Sequence, residues 1–197
     1  MHIVFATANK NKIYEVTKII RGGIKVASLS DIGCEEELPE TMPTLEGNAM
    51  QKARFVHDKY GKDCFADDTG LEIYALNGRP GVLSARYAGE GKNADDNIRQ
   101  VLAEMKRIDE RNARFRTVIA LIHSGKEYFF EGKVEGKILL EKKGVSGFGY
   151  DPIFAPITSD PHSGRISFAE MTIEAKNLIS HRANAIRKLV DFINTFL

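Results

Sequence analysis

The chain has 197 residues, 43% of them hydrophobic and 28% charged; this excludes a disordered protein and supplies enough apolar side chain for one domain or two closely packed lobes. With 28 basic against 27 acidic side chains the net charge is +1, so nothing draws the molecule as a whole to nucleic acid or to an anionic membrane. Two cysteines, Cys34 and Cys64, are too few for a disulfide framework and lack the C-x-x-C spacing of zinc and redox sites. The opening Met1-His2-Ile3-Val4-Phe5-Ala6 has neither a basic region nor a sustained apolar stretch. Later apolar runs such as residues 118–122 are too short to span a bilayer, so no membrane association and a cytoplasmic location are expected.

Ile3-Val4-Phe5-Ala6 predicts a short buried strand that enters the polar loop Thr7-Ala8-Asn9-Lys10-Asn11-Lys12. A helix follows, with Ile13, Val16 and Ile20 on one face and Gly22-Gly23 as its stop. Thr44 is placed to cap a second helix whose apolar stripe is Ala49, Met50, Ala53, Val56 and Tyr60. Residues 64–66 and 71–76 predict strands on either side of an acidic turn, Asp67-Asp68-Thr69-Gly70, and Asn77-Gly78 marks a further turn. A third helix carries Ile98, Val101, Leu102 and Met105. Residues 115–123 and 127–134 then meet across Ser124-Gly125 as a hairpin. After the glycine-rich stretch 144–152, Ser180 is placed to cap a C-terminal helix bearing Ala183, Ile186, Leu189, Val190 and Ile193. Helices alternating with strands, plus one hairpin, predict an α/β fold with a mixed sheet.

Four segments carry candidate chemistry. The loop of residues 7–12 offers backbone amides at a helix start, hydroxyl and amide side chains and two lysines, which suits a phosphate and equally suits a polar strand-to-helix turn. Neither G-x-x-x-x-G-K-[ST] nor G-x-G-x-x-G occurs. Asp67 and Asp68, with Glu40 and Glu35 to Glu37 nearby in sequence, supply oxygen ligands for a hard cation, although Asp-Asp-x-Gly is also a common solvent-facing turn. Gly147-Phe148-Gly149-Tyr150-Asp151-Pro152 sets two aromatics among glycines, either to let a planar ligand approach or as a tight turn with core-packed rings. The G-x-S-x-G elbow of serine hydrolases is missing, since Phe148 stands where its last glycine belongs. Lys176, His181 and Arg182 gather basic groups around a helix start, against the helix dipole, which points to an acceptor-rich partner or to a solvated helix end.

Together these segments resemble the inosine triphosphatase, or Ham1-like, family nearly end to end. The resemblance runs from Thr7-x-Asn9-x-x-Lys12 through Glu40, Asn48-Ala49 with Lys52, and Ala66-Asp67-Asp68-Thr69-Gly70-Leu71. It continues through Pro80-Gly81 with Ser84-Ala85-Arg86-Tyr87 and residues 147–152 to Ser180-His181-Arg182. Thr69 stands where many relatives have serine, which keeps the hydroxyl.

The resemblance implies an α/β fold with a long central mixed sheet flanked by helices, one domain over 1–197 in two lobes with a nucleotide cleft between them, and a homodimer. It implies a pyrophosphatase that splits deaminated purine nucleoside triphosphates (ITP, dITP, XTP) into monophosphate and pyrophosphate and so cleanses the nucleotide pool. Thr7, Asn9, Lys12 and Lys52 would hold the triphosphate, and Ala8, Lys10, Asn11 and Thr69 would also belong to the substrate site. Glu40 and Asp68 would bind Mg2+, with Asp68 also activating water. Phe148, Gly149, Tyr150, Asp151, Lys176, His181 and Arg182 would form the base and sugar pocket, with His181 and Arg182 donating to the purine 6-oxo group. Two rival readings are a Maf-like nucleotide pyrophosphatase, disfavoured by the segments at 148–151 and 180–182, and a non-catalytic nucleotide- or RNA-binding module, disfavoured by Glu40 and Asp68 and by the neutral charge.

Overall fold

In the computed structural model, which describes residues 1–20, 23–159 and 164–196, β1 (His2–Phe5) pairs in parallel with both of its neighbours, β2 (Lys25–Ala27) and β3 (Cys64–Ile73). The parallel connections are made by α1 (Lys10–Ile19) and α2 (Leu45–Tyr60). Gly22 lies outside the described residues; α1 ends at Ile19, with Ile20 already extended. Asn9 caps α1 by accepting from the amides of Asn11 and Lys12, and Thr44 caps α2 by accepting from Gly47.

Further along come β4 (Pro80–Gly81), α3 (Ala94–Glu104), β5 (Asn112–His123), β6 (Lys126–Ile138), β7 (Phe154–Pro156), α4 (Ile173–Ile179) and α5 (His181–Phe196). The strands form one mixed sheet in the order β2-β1-β3-β5-β6-β7, with β4 antiparallel on β3 and β7 antiparallel on β6. The expected hairpin is present, closed by Ser124 and Gly125, both at positive φ.

The chain packs as two compact units. Unit 1 comprises Met1–Asp68, Thr117–Gly132 and Arg182–Leu197; unit 2 comprises Thr69–Arg116 and Lys133–His181. Unit 1 has a core on each face of its strands. Because successive strand residues point to opposite sides, Val4, Ala6, Cys64 and Ala66 pack with Ala49, Ala53 and Val56 of α2. Ile3, Phe5 and Phe65 pack with Val16 of α1 and with Ile186 and Leu189 of α5. The rings of Phe5 and Phe65 stack with centroids 4.5 Å apart. In unit 2, Ile98, Val101 and Met105 of α3 pack on Leu71, Ile73 and Phe115, with Phe154 and Phe168 in the same core.

One expectation is corrected here. Residues 67–70 are not a turn between two strands; β3 runs unbroken from Cys64 to Ile73. Turn-forming residue types are tolerated because Gly70 lies against the β4 backbone, where an added Cβ would come 2.6 Å from the Gly81 carbonyl oxygen. The carboxylates, as shown below, are paired. Gly70→Ala is therefore expected to destabilise the protein by roughly 1–3 kcal/mol through overpacking, read as a lower urea midpoint. An unchanged midpoint would contradict this packing.

Candidate active site

An unbroken β3 sends its adjacent carboxylates to opposite sides. Asp67 follows Phe65 towards α1 and α5, whereas Asp68 follows Ala66 towards α2. Asp67 is 1% exposed, and its two oxygens are divided between Lys12 Nζ at 2.9 Å and Arg182 Nε at 3.1 Å. Arg182, the largest fully buried side chain, also pairs with the buried Glu15 of α1. On the other side, Asn48 Nδ2 of α2 donates to Asp68 Oδ2 at 3.0 Å. One turn further along α2, Lys52 Nζ donates to Glu40 Oε1 at 2.6 Å and to the Asp67 carbonyl at 2.8 Å, and lies 3.8 Å from Asp68 Oδ1. Lys12 reaches the same carbonyl at 3.4 Å.

Glu40 belongs to a loop that α2 holds from both sides. The Thr41 amide donates to Gln51 Oε1, the Met42 amide to Asn48 Oδ1, and nearer the loop's start Glu36 accepts from Lys59 and Tyr60. Asn48 thus serves twice, orienting Asp68 and fixing the chain two residues after Glu40.

The electrostatics follow from burial and crowding. Burial alone disfavours the Asp67 charge, but Lys12, Arg182 and Lys52 outweigh it and hold the carboxyl below the usual carboxylate range. Burial raises Asp68 above its ordinary value against the pull of Lys52 and Lys12, which makes it the more basic of the pair. Burial lowers the Lys12 ammonium, with Lys52 and Arg182 adding repulsion to offset the attraction of Asp67. For Lys52 the burial penalty is outweighed by Asp68, Glu40 and Asp67, and its affinity for the proton rises.

Unit 2 contains a second group of expected residues. Asp151 Oδ2 accepts from the Phe148 amide at 2.8 Å and from Lys176 Nζ at 2.6 Å, both ionic partners being buried. Gly147 sits at φ +77°, and an added Cβ would come 2.2 Å from that carboxylate, so the turn requires glycine on two grounds. The Lys176 ammonium lies 5.1 Å from the centre of the half-buried Phe148 ring and 5.4 Å from that of Phe168. Tyr150 points into the core, donating to the Ser84 carbonyl at 2.9 Å, and burial pushes its hydroxyl pKa up. The buried His181 ring stacks on Phe115 at 4.5 Å.

Lys12, Lys52, Glu40 and Asp68 therefore come together in unit 1, and Phe148, Asp151 and Lys176 in unit 2. Thr7 is buried, its hydroxyl accepting from the Asn9 amide, while Ala8, Asn9, Lys10 and Asn11 are exposed around the start of α1. Thr69 and Gly149 are half-buried. Arg182, expected to donate to the base, donates from Nε to Asp67 and from Nη1 to Glu15, because a guanidinium sealed from water must find carboxylates nearby. The helix start is accordingly buried, not solvated. Glu15 and Asn48 have positioning roles that sequence reasoning did not assign. The available signal was their spacing, one helical turn from Lys12 and from Lys52.

Paired ammonium groups beside oxygen-only donors define a site suited to an anionic phosphate chain and a hard cation. Among the described residues no three His, Cys, Asp or Glu side chains gather as a ready-made metal cage, and no helix is long and apolar enough to cross a membrane. Residues 3–192 match the model of the Ham1 family, and the chain belongs to that family. It is 51% identical to a dITP/XTP pyrophosphatase of Flavobacterium johnsoniae, covering 98% of each chain. It is 53% identical to the dITP/XTP pyrophosphatase of Porphyromonas gingivalis, covering 97% of this chain and 96% of that one. Its fold matches the structure of the Staphylococcus aureus Ham1 protein with a TM-score of 0.86 at 37% identity, over 98% of each chain.

Breaking a buried ion network leaves uncompensated charge, so Arg182→Met and Asp67→Asn are each expected to cost roughly 3–5 kcal/mol in urea unfolding. Because folding depresses the Asp67 pKa, its contribution is complete above the unfolded value of about 3.9 and is lost as pH falls towards the lower folded value. The fall in stability below that point should be shallower in Asp67→Asn than in the parent. Equal slopes would remove Asp67 from the network.

Proposed function

We propose that the protein is a metal-dependent nucleoside-triphosphate pyrophosphatase that converts deaminated purine nucleoside triphosphates (dITP, XTP and ITP) into the monophosphate and pyrophosphate. The observation that carries this reading is the cluster of Lys12, Lys52, Glu40 and Asp68 around Asp67. Support comes from full-length relatives named for that reaction. Magnesium as the metal and a homodimer, both taken from the family resemblance, and a cytoplasmic location, taken from the sequence, are further parts of the proposal.

The donor set fits a hard divalent cation, since Glu40 and Asp68 already share one positive charge, the Lys52 ammonium. Magnesium bound by those carboxylates would neutralise phosphate charge and make a nearby water more acidic. The protein's own residues supply the remainder. Lys12 and Lys52 bind the phosphate chain and offset charge building on the departing pyrophosphate. Asp68, raised in basicity by burial and oriented by Asn48, takes the proton of a water directed at the α-phosphorus. No side-chain nucleophile is needed.

In unit 2, Phe148 is assigned to stack on the purine, its turn held by Asp151. Lys176 and His181 are assigned as donors to the 6-oxo group. Adenine presents an amino donor at that position, and facing donor with donor leaves a buried polar group unpaired at about 1–3 kcal/mol. Arg182 is assigned to holding Asp67.

A panel of nucleoside triphosphates with magnesium, assayed separately for pyrophosphate and for phosphate, tests the reading. Pyrophosphate from dITP, XTP and ITP, with ATP much slower, is expected; phosphate alone would refute it. Asp68→Asn should lower kcat by on the order of 10²–10⁴ while leaving the fold intact, and turnover near the parent's would remove Asp68 from the mechanism. Since the acid limb of kcat/KM reports the free enzyme, it should lie above the ordinary aspartate value of about 3.9.

A further inference from the structure

Lys52 occupies the place that a cation shared by Glu40 and Asp68 would take. Its ammonium is 2.6 Å from Glu40 Oε1 and 3.8 Å from Asp68 Oδ1, and it is anchored on the Asp67 carbonyl at 2.8 Å. These contacts join three separately positioned pieces of chain: the loop before α2, the middle of α2 and strand β3. The side chain is 5% exposed, so water screens the ammonium only weakly from what lies beside it. A divalent ion entering while Lys52 stays would place two like charges together in a poorly screened site. One of them must leave.

A phosphate chain changes the balance, because its oxygens give Lys52 another anionic partner. We infer that Lys52 makes metal loading conditional on the polyphosphate: without it the ammonium holds Glu40 and Asp68, and with it the ammonium moves to phosphate and releases both carboxylates as ligands. The inference rests on the proposed roles of Glu40 and Asp68. Its consequence is an order of events in which free metal does not charge the resting enzyme and the ion is retained only together with a triphosphate. The ammonium meanwhile compensates both carboxylates, so neither is left as an unpaired like charge beside the other.

The test uses the full nucleotide-free chain with Mn2+ as the probe, its affinity read by calorimetry or by the loss of the free-ion paramagnetic resonance signal. Lys52→Met and Lys52→Gln, which keep the length of the side chain to within about one heavy atom and remove the charge, should each bind Mn2+ at least about tenfold more tightly than the parent, a shift of about 1.4 kcal/mol. Lys52→Arg, which retains a cation, should bind as weakly as the parent. Adding Asp68→Asn to Lys52→Met should abolish the gain. Parent-like affinity in both neutral variants overturns the inference, as does tighter binding by Lys52→Arg or a gain that survives the loss of Asp68. Because no nucleotide is present, these outcomes are separate from failure of the parent enzyme to release pyrophosphate, which would refute the proposed function instead.

Discussion

The carboxylate of Asp67, buried in the middle of a strand, is the constraint from which the rest of unit 1 follows. A lone ionised carboxylate there would be costly, so each oxygen requires a cation. One comes from the first turn of α1 and the other from the first turn of α5, and Arg182 in turn requires Glu15. Three elements are thereby locked by charge where their apolar faces already meet. Because Asp67 is so held, its strand neighbour must face α2, and Asp68 arrives beside Asn48 and Lys52 with its basicity raised. A structural ion network and a carboxylate of raised basicity are thus consecutive residues on opposite faces of one strand.

Unit 2 applies the same device on a smaller scale. Asp151 uses a single oxygen to close the turn that carries Phe148 and to hold Lys176 beneath that ring. The aromatic platform and a buried cation are set by one carboxylate, and Tyr150 ties the turn to Ser84 behind it. In the proposed function such preorganisation would serve discrimination, because a donor that is free to rotate away from the wrong base would impose little penalty.

Much of this was legible in the sequence, and the parts that were not share one cause. The cap at Thr44, the Ser124-Gly125 hairpin and the glycine-flanked Phe148 follow from local chemistry, and each is present in the structure. The continuity of β3 was illegible because Asp-Asp-Thr-Gly locally reads as a turn. It becomes a strand only through partners 55 and 115 positions away in the chain. The burial of Arg182, against the alternative of a solvated helix end, was illegible for the same reason, its partner Glu15 lying 167 positions earlier. Helical periodicity places Glu15 on a face but does not show that the face is sealed. Asn48 looked like part of a motif, and its double role depends on a loop whose path the sequence does not specify.

In the proposed reaction unit 1's lysines act on the departing pyrophosphate and Asp68 on the water that replaces it at the α-phosphorus. Hydrolysis of ITP in water enriched in heavy oxygen, with mass analysis of both products after a single turnover, tests that assignment most directly. The label should appear in inosine monophosphate, with pyrophosphate unlabelled; label in the pyrophosphate would mean attack at the β-phosphorus and would contradict the roles given to Asp68, Lys12 and Lys52.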